Sequence, residues 1–195
     1  MDKAVGVLAL QGAYQKHIDI LHTLGVPAHT VRQPHELDDC SALIIPGGES
    51  TTISLLIQKN GLYEPIKAFA EHHPVMGVCA GMIMMATEVD DDRVKPLGLI
   101  PFKALRNHYG RQVHSFATDI KLDFDNNGKA FPAVFIRAPG ADNISSDVQV
   151  LARKKSNDNN EAVILNKGHH MALSFHPELT DDTRIHAYWL SQLNS

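Results

Sequence analysis

Eight short apolar runs, rich in β-branched residues, are spaced along the chain. They predict strands at 4–10, 27–32, 42–46, 74–78, 133–138, 148–153, 161–166 and 171–176. Amphipathic segments between the early runs predict helices over about 13–24, 50–59, 62–72 and 81–88. Strands that alternate with helices form βαβ units, so this pattern predicts an α/β fold with a mostly parallel central sheet.

The second half of the chain has a different pattern. From about residue 99, strands follow one another without helices between them, which predicts an antiparallel extension of the sheet. Residues 181–194 begin with acidic residues and continue as an amphipathic pattern, which predicts a C-terminal helix. The polar stretches 88–96 and 154–161 predict a surface loop and a turn between strands. We therefore expect one domain over residues 1–195.

Composition and charge exclude several classes of function. The 195 residues are 44% hydrophobic and carry a formal net charge of −4, and the basic run 153–155 is expected at a solvated strand end. A nucleic-acid binder would need a basic surface, so we expect no nucleic-acid partner. No apolar run reaches the ~18 residues of a membrane span, and the first residues are wrongly flanked for a signal peptide. We therefore expect a cytoplasmic protein without a membrane partner.

The two cysteines lie far apart and have different surroundings. Cys40 precedes an apolar strand and is expected to be a small packing residue. Neither cysteine has a CxxC context, so neither a disulfide framework nor a zinc ribbon is indicated. Cys79 lies in the stretch PVMGVCAGMIMM, after a strand that ends at Val78 and before a predicted helix. Its position calls for a separate explanation.

The turn at Cys79 is typical of a nucleophile elbow, in which the side chain stands at the carboxyl edge of a parallel sheet. A helix N-terminus favours a thiolate over a thiol, and backbone N–H groups beyond the turn can stabilise an oxyanion. The alternative is a buried cysteine that packs like alanine. Gly77 and Gly81 favour the elbow, because small neighbours permit a strained turn and the close approach of a substrate.

A thiolate nucleophile needs a base, and the segment SFHPEL (174–179) offers one. Pro177 holds the residue before it in an extended conformation, so the side chains of His176 and Glu178 point the same way. The carboxylate can then orient the imidazole. Cys79, His176 and Glu178 together predict a catalytic triad.

The other histidines are dispersed along the chain. His169 and His170 are a rival pair for the base, but no carboxylate lies near them in the sequence. His17, His22 and His29 show no HExxH or comparable ligand spacing. We therefore expect no metal and no other cofactor.

A glycine-rich turn follows the strand at 42–46. The segment IIPGGESTT (44–52) places two glycines between that strand and a helix that opens with Ser50. Exposed N–H groups at such a bend form a nest for an oxyanion, a carboxylate or a phosphate. The chain contains neither GxxxxGK[ST] nor GxGxxG, so a nucleotide is not indicated.

Six motifs together resemble one enzyme family. PGGEST, GVCAG and SFHPEL, in this order, resemble the motifs of class I (triad) glutamine amidotransferases. LALQGAYQKHI near the start, NHYGRQVHSF (107–116) and VFIRAP (134–139) narrow the resemblance to the glutaminase subunits of pyridoxal 5′-phosphate synthases. The resemblance covers nearly the whole chain.

This resemblance implies a fold, a reaction and a partner. The fold is a flavodoxin-like, three-layer α/β domain, and the reaction is the hydrolysis of L-glutamine to L-glutamate and ammonia. The ammonia would pass to a barrel-shaped synthase (lyase) subunit that builds pyridoxal 5′-phosphate. The implied assembly is a hetero-oligomer with twelve copies of each subunit.

The resemblance also implies roles for individual residues. Cys79 would be the nucleophile, His176 the general acid/base and Glu178 its orienter, with oxyanion N–H groups near Gly48 and Ala80. The residues implied to bind glutamine are Gly47, Gly48, Glu49, Arg106, Ile136 and Arg137. The chain departs from the family pattern at three positions. His114 and Ala117 stand where acidic residues are common, and Gly140 stands where histidine is common.

Three alternatives remain open from the sequence. Another class I amidotransferase subunit is disfavoured by FIRAP and GRQVxSF. A cysteine peptidase or chaperone on a similar fold also uses an elbow cysteine but usually lacks the HPE segment. A non-enzymatic module that binds phosphate at PGGEST would leave Cys79 and HPE unexplained.

Overall fold

The computed structural model describes residues 4–106, 108, 115–156 and 159–194. The strands are β1 (Ala4–Leu8), β2 (Ala28–Val31), β3 (Cys40–Ile45), β4 (Val75–Val78), β5 (Ala86–Val89), β6 (Ile100–Leu105), β7 (Ser115–Leu122), β8 (Phe131–Ile136), β9 (Gly140–Asp142), β10 (Gln149–Ser156), β11 (Asn159–Lys167) and β12 (His170–Leu173). The helices are α1 (Tyr14–Thr23), α2 (Ser50–Lys59), α3 (Tyr63–Ala70), α4 (Ala80–Met85) and α5 (Arg184–Ser191). Short 3₁₀ turns cover Pro34–Leu37, Pro177–Leu179 and Gln192–Asn194.

The central sheet has nine strands in the order β2-β1-β3-β4-β12-β11-β10-β7-β8. Neighbouring strands are parallel from β2 to β12 and antiparallel from β12 to β8. The order β2-β1-β3-β4 followed by β12 is that of a flavodoxin-like doubly wound sheet. The predicted α/β fold, with a parallel sheet and an antiparallel extension, is confirmed.

Helices cover both faces of the parallel strands and give the fold three layers. In β3, Leu43 and Ile45 face a core that contains residues of α2, α3 and α4. Ala42 and Ile44 face the opposite core, which contains residues of α1 and α5. Because successive side chains of a strand point to opposite faces, a strand between two helical layers must be apolar throughout. Among the described residues, every helix is too short or too polar to cross a lipid bilayer.

A second sheet, β5-β6-β9, was not predicted. The helix predicted over 81–88 is wrong at its end, because α4 stops at Met85 and residues 86–89 form β5. The last two carbonyl groups of this helix and the carbonyl of Ala86 accept hydrogen bonds from the backbone of residues 97–99, at 2.7 to 3.0 Å. This pairing ends the helix and directs the chain into a strand. The surface loop predicted from residue 88 therefore begins later.

The hairpin β10–β11 also differs from the prediction. The turn expected over 154–161 is shorter, because β10 continues to Ser156 and β11 begins at Asn159. The solvated strand end expected at 153–155 is wrong for Lys154, whose side chain is buried and whose Nζ lies 3.0 Å from Oε2 of Glu161. A strand alternates its faces, so the middle residue of a basic run can point inward. Cys40 is buried at the start of β3, as expected for a packing residue.

The carboxyl ends of β1, β3, β4 and β12 lie at one edge of the sheet. Ile45 pairs with Gly77, and Val78 pairs with Leu173, so these strands end at a common level. The segments that leave these ends are residues 9–13, 46–49, 79–80 and 174–178. This edge brings together the sequence motifs that carry candidate chemistry.

Candidate active site

Cys79 occupies a strained turn between β4 and α4. Its φ is +52°, a value that is unfavourable for any residue with a Cβ. The turn is fixed on both sides, because its N–H donates to the carbonyl of Leu173 at 2.8 Å and its carbonyl accepts from the N–H of Ile83 at 3.2 Å. This geometry is that of a nucleophile elbow.

Two glycines allow the elbow to pack against the sheet. A Cβ at Gly81 would collide with the carbonyl oxygen of Ile45, and a Cβ at Gly77 would collide with the backbone of Gly81. These glycines were predicted partly to allow the close approach of a substrate. That reason is wrong, because neither glycine lines the cavity beside Cys79 and both instead permit close packing of α4 on β3 and β4.

His176 and Glu178 follow β12 and face each other across a 3₁₀ turn. The N–H of His176 donates to the carbonyl of Val134 at 2.8 Å, which fixes the backbone at this point. Nδ1 of His176 lies 2.6 Å from Oε1 of Glu178, and both side chains are buried. Because the ionised carboxylate only accepts, Nδ1 carries the proton and Nε2 is left to face another partner.

Cys79 is the other group that interacts with this imidazole. Burial lowers the pKa of His176, but the hydrogen bonds with Cys79 and Glu178 outweigh burial and raise the pKa to about 10. Burial raises the pKa of Glu178, but the hydrogen bond from His176 and the nearby imidazole of His17 outweigh it and lower the pKa. The imidazole therefore holds a proton strongly and the carboxylate stays ionised. The structure thus brings Cys79, His176 and Glu178 together, although 97 positions separate Cys79 from His176 in the sequence.

A cavity of about 290 Å³ opens above Cys79. Its lining includes all nine of the predicted catalytic, oxyanion and glutamine-binding residues other than Glu178, and Glu178 lies behind the imidazole. The lining residues are Gln11, Gly12, Ala13, Gly47, Gly48, Glu49, Ser50, Cys79, Ala80, Ile83, Arg106, Ile136, Arg137 and His176. A cavity of this size suits a small molecule rather than a polypeptide chain.

The Gly47-Gly48 turn lies directly against the imidazole. A Cβ at Gly47 would collide with Cε1 of His176, so the turn can approach this closely only with glycine. The carbonyl of Gly47 accepts from the N–H of Ala13 at 3.3 Å. Oε1 of Gln11 accepts from the N–H of Glu49 at 2.8 Å. The loop after β1 therefore supports the glycine turn from the outside.

Gln11, Gly12 and Ala13 were not predicted as site residues. The motif LALQGAYQKHI was noted only as part of the resemblance. A signal for them was present, because residues that directly follow β1 must lie at the same carboxyl edge as the other motifs.

A network of charged groups forms one side of the cavity mouth. Arg106 donates through one terminal nitrogen to Oε1 of Glu49 at 2.8 Å and through the other to Oδ2 of Asp91. Oε2 of Glu49 also accepts from the N–H of Thr52 at 2.8 Å and caps α2. Burial raises the pKa of Glu49, but hydrogen bonds from Thr51 and Thr52 outweigh it and lower the pKa to about 2. Arg106 and Glu49 thus present paired opposite charges to the cavity.

Ile136 and Arg137, at the end of β8, also line the cavity. Sγ of Cys79 lies 3.7 Å from the carbonyl oxygen of Ile136. The next residue, Arg137, has a φ of +43°. The chain is therefore sharply bent where β8 meets the cavity, and such strain is common at functional sites.

The three departures from the family pattern have different surroundings. His114 lies outside the described residues. Ala117 lies in β7 and pairs with Val134 of β8. Gly140 begins β9, and a Cβ there would collide with the ring of His108. A histidine at this position would therefore require His108 to move.

His17 was dismissed in the sequence analysis but lies next to Glu178. It is fully buried, and its Nε2 lies 3.6 Å from Oε2 of Glu178. Its Nδ1 lies 3.0 Å from Nε2 of His186 on α5. A signal was present, because Tyr14, His17, Ile18 and Leu21 share the inward stripe of α1.

Comparisons with known proteins agree with this geometry. The model of the SNO glutamine amidotransferase family matches residues 7–195. Two relatives are pyridoxal 5′-phosphate synthase subunits PdxT. The one from Methanoregula boonei is 47% identical over 97% of this chain and 98% of its own, and the one from Brevibacillus brevis is 42% identical over 97% and 96%.

Solved structures show the same architecture. A crystal structure of a glutamine amidotransferase is 39% identical to this chain and superposes with a TM-score of 0.89. The match covers 98% of this chain and 100% of that one. The structure of PurLQS from Thermotoga maritima shares the fold, with a TM-score of 0.71 and 18% identity. The match covers 100% of this chain and 96% of that one. The extent of these matches and the motifs at the edge of the sheet lead to one assignment: the chain belongs to the SNO glutamine amidotransferase family.

Proposed function

We propose that this chain hydrolyses L-glutamine to L-glutamate and ammonia, as the glutaminase subunit of a pyridoxal 5′-phosphate synthase. The observation that carries the proposal is the cavity in which the Cys79 thiol, on a strained elbow, meets an imidazole backed by a buried carboxylate. Membership of the glutamine amidotransferase family and the two relatives named as pyridoxal 5′-phosphate synthase subunits support it.

In the first half-reaction, the Cys79 thiolate attacks the side-chain amide carbon of glutamine. N–H groups near Gly48 and Ala80 stabilise the oxyanion that forms on the amide oxygen. His176 gives its proton to the departing nitrogen, and ammonia leaves. The raised pKa of His176 supports this role, because the imidazole holds the proton until the leaving group needs it.

In the second half-reaction, water hydrolyses the glutamyl thioester. His176, now neutral, takes a proton from the water, and the hydroxide attacks the carbonyl carbon. The thiolate leaves and the imidazolium forms again, so the cycle closes. Glu178 keeps the imidazole in one tautomer and one orientation in both halves, and their 2.6 Å contact supports this role.

Glutamine is held by opposite charges and by the glycine turn. Glu49 attracts the α-ammonium group and Arg106 the α-carboxylate, while Gly47, Gly48, Ile136 and Arg137 shape the rest of the cavity. Charge-assisted hydrogen bonds of this kind are strong and directional. The ion pair between Glu49 and Arg106 supports the assignment, because a zwitterion can insert between two opposite charges.

Ammonia is the useful product, and the synthase subunit is its consumer. Since neutral ammonia must reach the partner without escaping, we expect water to be excluded when the two subunits dock. The partner is the synthase (lyase) subunit, in an assembly with twelve copies of each chain.

We take residues 1–195 as a single glutaminase domain, which the family match over 7–195 supports. We place the protein in the cytoplasm.

The test measures glutamate release from glutamine by the purified chain, with and without a pyridoxal 5′-phosphate synthase subunit. We expect low activity alone, stimulation by the partner, and loss of activity in Cys79→Ala. The matched control is Cys40→Ala, which removes a buried thiol away from the cavity. A glutamine-analogue affinity label should modify Cys79 in the wild type.

Two results would contradict the proposal. Equal glutamine hydrolysis by the wild type and Cys79→Ala would remove the thiol from the reaction. Tight phosphate binding without any glutamine hydrolysis would favour the non-enzymatic module. Stimulation by the partner of another amidotransferase, but not by a pyridoxal 5′-phosphate synthase subunit, would reassign the pathway while leaving the chemistry unchanged.

A further inference from the structure

Glu178 has two carboxylate oxygens, and the triad uses one of them. Oε1 contacts Nδ1 of His176 at 2.6 Å. Oε2 is buried and has no hydrogen-bond partner among the described residues. A buried ionised oxygen without a donor is costly, and it also leaves the carboxylate able to rotate about its last bond.

His17 is positioned to supply that donor. Its Nε2 lies 3.6 Å from Oε2 of Glu178, and this nitrogen also has no hydrogen-bond partner among the described residues. The contact joins α1 to the 3₁₀ turn that carries Glu178, and neither side chain is exposed to solvent. Catalytic hydrogen bonds are often long in free enzymes and shorten when substrate binds.

The neighbouring histidine fixes which nitrogen of His17 carries the proton. Nδ1 of His17 and Nε2 of His186 lie 3.0 Å apart, so one of them donates and the other accepts. If His186 donates, Nδ1 of His17 accepts and the proton of His17 sits on Nε2, directed at the carboxylate. The opposite arrangement would point two lone pairs at each other between His17 and Glu178. The first arrangement is therefore the stable one.

His17 can help Glu178 without neutralising its charge. Burial lowers the pKa of His17, and the nearby charge of His176 lowers it further, against an opposing effect of Glu178. Burial also lowers the pKa of His186, to about 3. A neutral donor satisfies Oε2 but leaves the negative charge of the carboxylate for His176. A second cation at this place would compete with His176 for that charge.

We propose that His17 is a positioning residue of the active site, which donates from Nε2 to Oε2 of Glu178 and thereby locks the carboxylate that orients His176. This inference rests on the proposed glutaminase function. The segment after β1 then contributes to the site in two ways. The loop before α1 supports the Gly47-Gly48 turn, and α1 itself holds the carboxylate behind the base.

The experiment compares two polar replacements of His17 in the complex with the synthase subunit. Gln places its amide nitrogen near the position of Nε2 and can still reach Glu178. Asn places its amide near the position of Nδ1 and can reach His186 but not Glu178. Both are polar and smaller than or similar to histidine, so they differ mainly in the contact of interest. Ile18→Val, at a buried neighbour on α1, controls for a small loss of packing.

We expect His17→Asn to lower kcat about tenfold, with KM within about twofold, because Glu178 loses a donor that acts on the base rather than on substrate. His17→Gln should retain kcat within about twofold, and Ile18→Val should match the wild type. Thermal unfolding of each variant checks that the fold is intact.

The pH profile separates positioning from a purely structural role. The ionisable groups that face Glu178 among the described residues are His176 at the turn, His17 on α1 and His186 on α5. Without its donor, Glu178 takes up a proton more readily, so the acid limb of kcat/KM should move to higher pH in His17→Asn and not in His17→Gln.

Two outcomes would overturn the inference. One is wild-type activity in His17→Asn, and the other is an equal loss in Asn and Gln variants with no movement of the acid limb. Either outcome, seen beside an active wild type and an inactive Cys79→Ala, would leave the glutaminase proposal standing. An inactive wild-type complex would instead remove the proposed function itself.

Discussion

The cavity holds charge in two different ways on its two sides. On the inner side, the triad group of Cys79, His176 and Glu178 is buried and tightly fixed by backbone contacts. At the mouth, the rim network of Glu49, Arg106 and Asp91 is partly open to solvent. Both sides contain a carboxylate with a lowered pKa and a cation beside it.

The two sides differ in how burial changes the strength of the interaction between opposite charges. In the triad group, desolvation makes each contact strong and makes the loss of one partner costly. In the rim network, water screens the charges, so the pairs contribute little stability and can exchange partners when a charged substrate arrives. We therefore expect the triad group to control the chemical step and the rim network to control substrate binding.

The largest effect should follow a change in the triad group that preserves shape. Glu178→Gln should lower kcat by about 10³-fold to 10⁴-fold, because the amide can donate to Nδ1 and stabilise the wrong tautomer of His176. KM should change little. Steady-state glutamine hydrolysis in the complex measures both values, with Glu178→Asp as a control that keeps the charge. A loss of less than tenfold in Glu178→Gln would remove Glu178 from the triad.

A smaller effect should follow a change at the contact between the two sides. Gly47→Ala places a Cβ against Cε1 of His176, so either the glycine turn or the imidazole must move. We expect kcat to fall about a hundredfold, since an atomic misplacement near 1 Å can cost that much. The melting temperature should show that the chain still folds. Unchanged kinetics would mean that this contact opens during turnover.

The triad group could be predicted from the sequence because Cys79 directly follows β4, and His176 and Glu178 lie within five residues of the end of β12. Strand ends are recognisable from apolar runs, and parallel strands must deliver these ends to one edge. The same reasoning placed no strand at β5, β6, β7 or β9. β5 and β9 have only four and three residues, which show too little alternation to be recognised. β6 contains a proline, and half of β7 is polar or charged, so neither resembles an apolar strand.

His17 was missed for a different reason. A histidine on the apolar stripe of a helix resembles an ordinary core residue, and its partners lie more than 160 positions away in the sequence. Only the packing of α1 against the turn after β12 reveals the contact. The inward stripe of α1 predicts that His17 is buried, but no local pattern identifies its partners.

The rim network should respond to mutation through binding rather than chemistry. Arg106→Ala should raise KM for glutamine about tenfold and leave kcat within about threefold, because the charge contacts the substrate equally before and during reaction. Arg93→Ala is the matched control, since Arg93 also pairs with Asp91 but does not line the cavity. A large loss of kcat in Arg106→Ala would place Arg106 with the triad group instead.

The smallest effect should appear in stability at acid pH, and it compares the carboxylates of the two sides directly. Both Glu178 and Glu49 have a pKa below the ordinary value of 4.5. A lowered pKa contributes stability that is fully present above the ordinary pKa and is lost as the pH falls through the pKa of the folded state.

The melting-temperature advantage of the wild type over Glu178→Gln should therefore shrink as pH falls below about 4.5. The advantage over Glu49→Gln should shrink in the same direction but by less, because the side chain of Glu49 is 39% exposed and that of Glu178 is 0% exposed. Thermal unfolding of the three proteins across this pH range measures both differences. An equal acid dependence in the two variants would show that burial does not distinguish the two sides of the cavity.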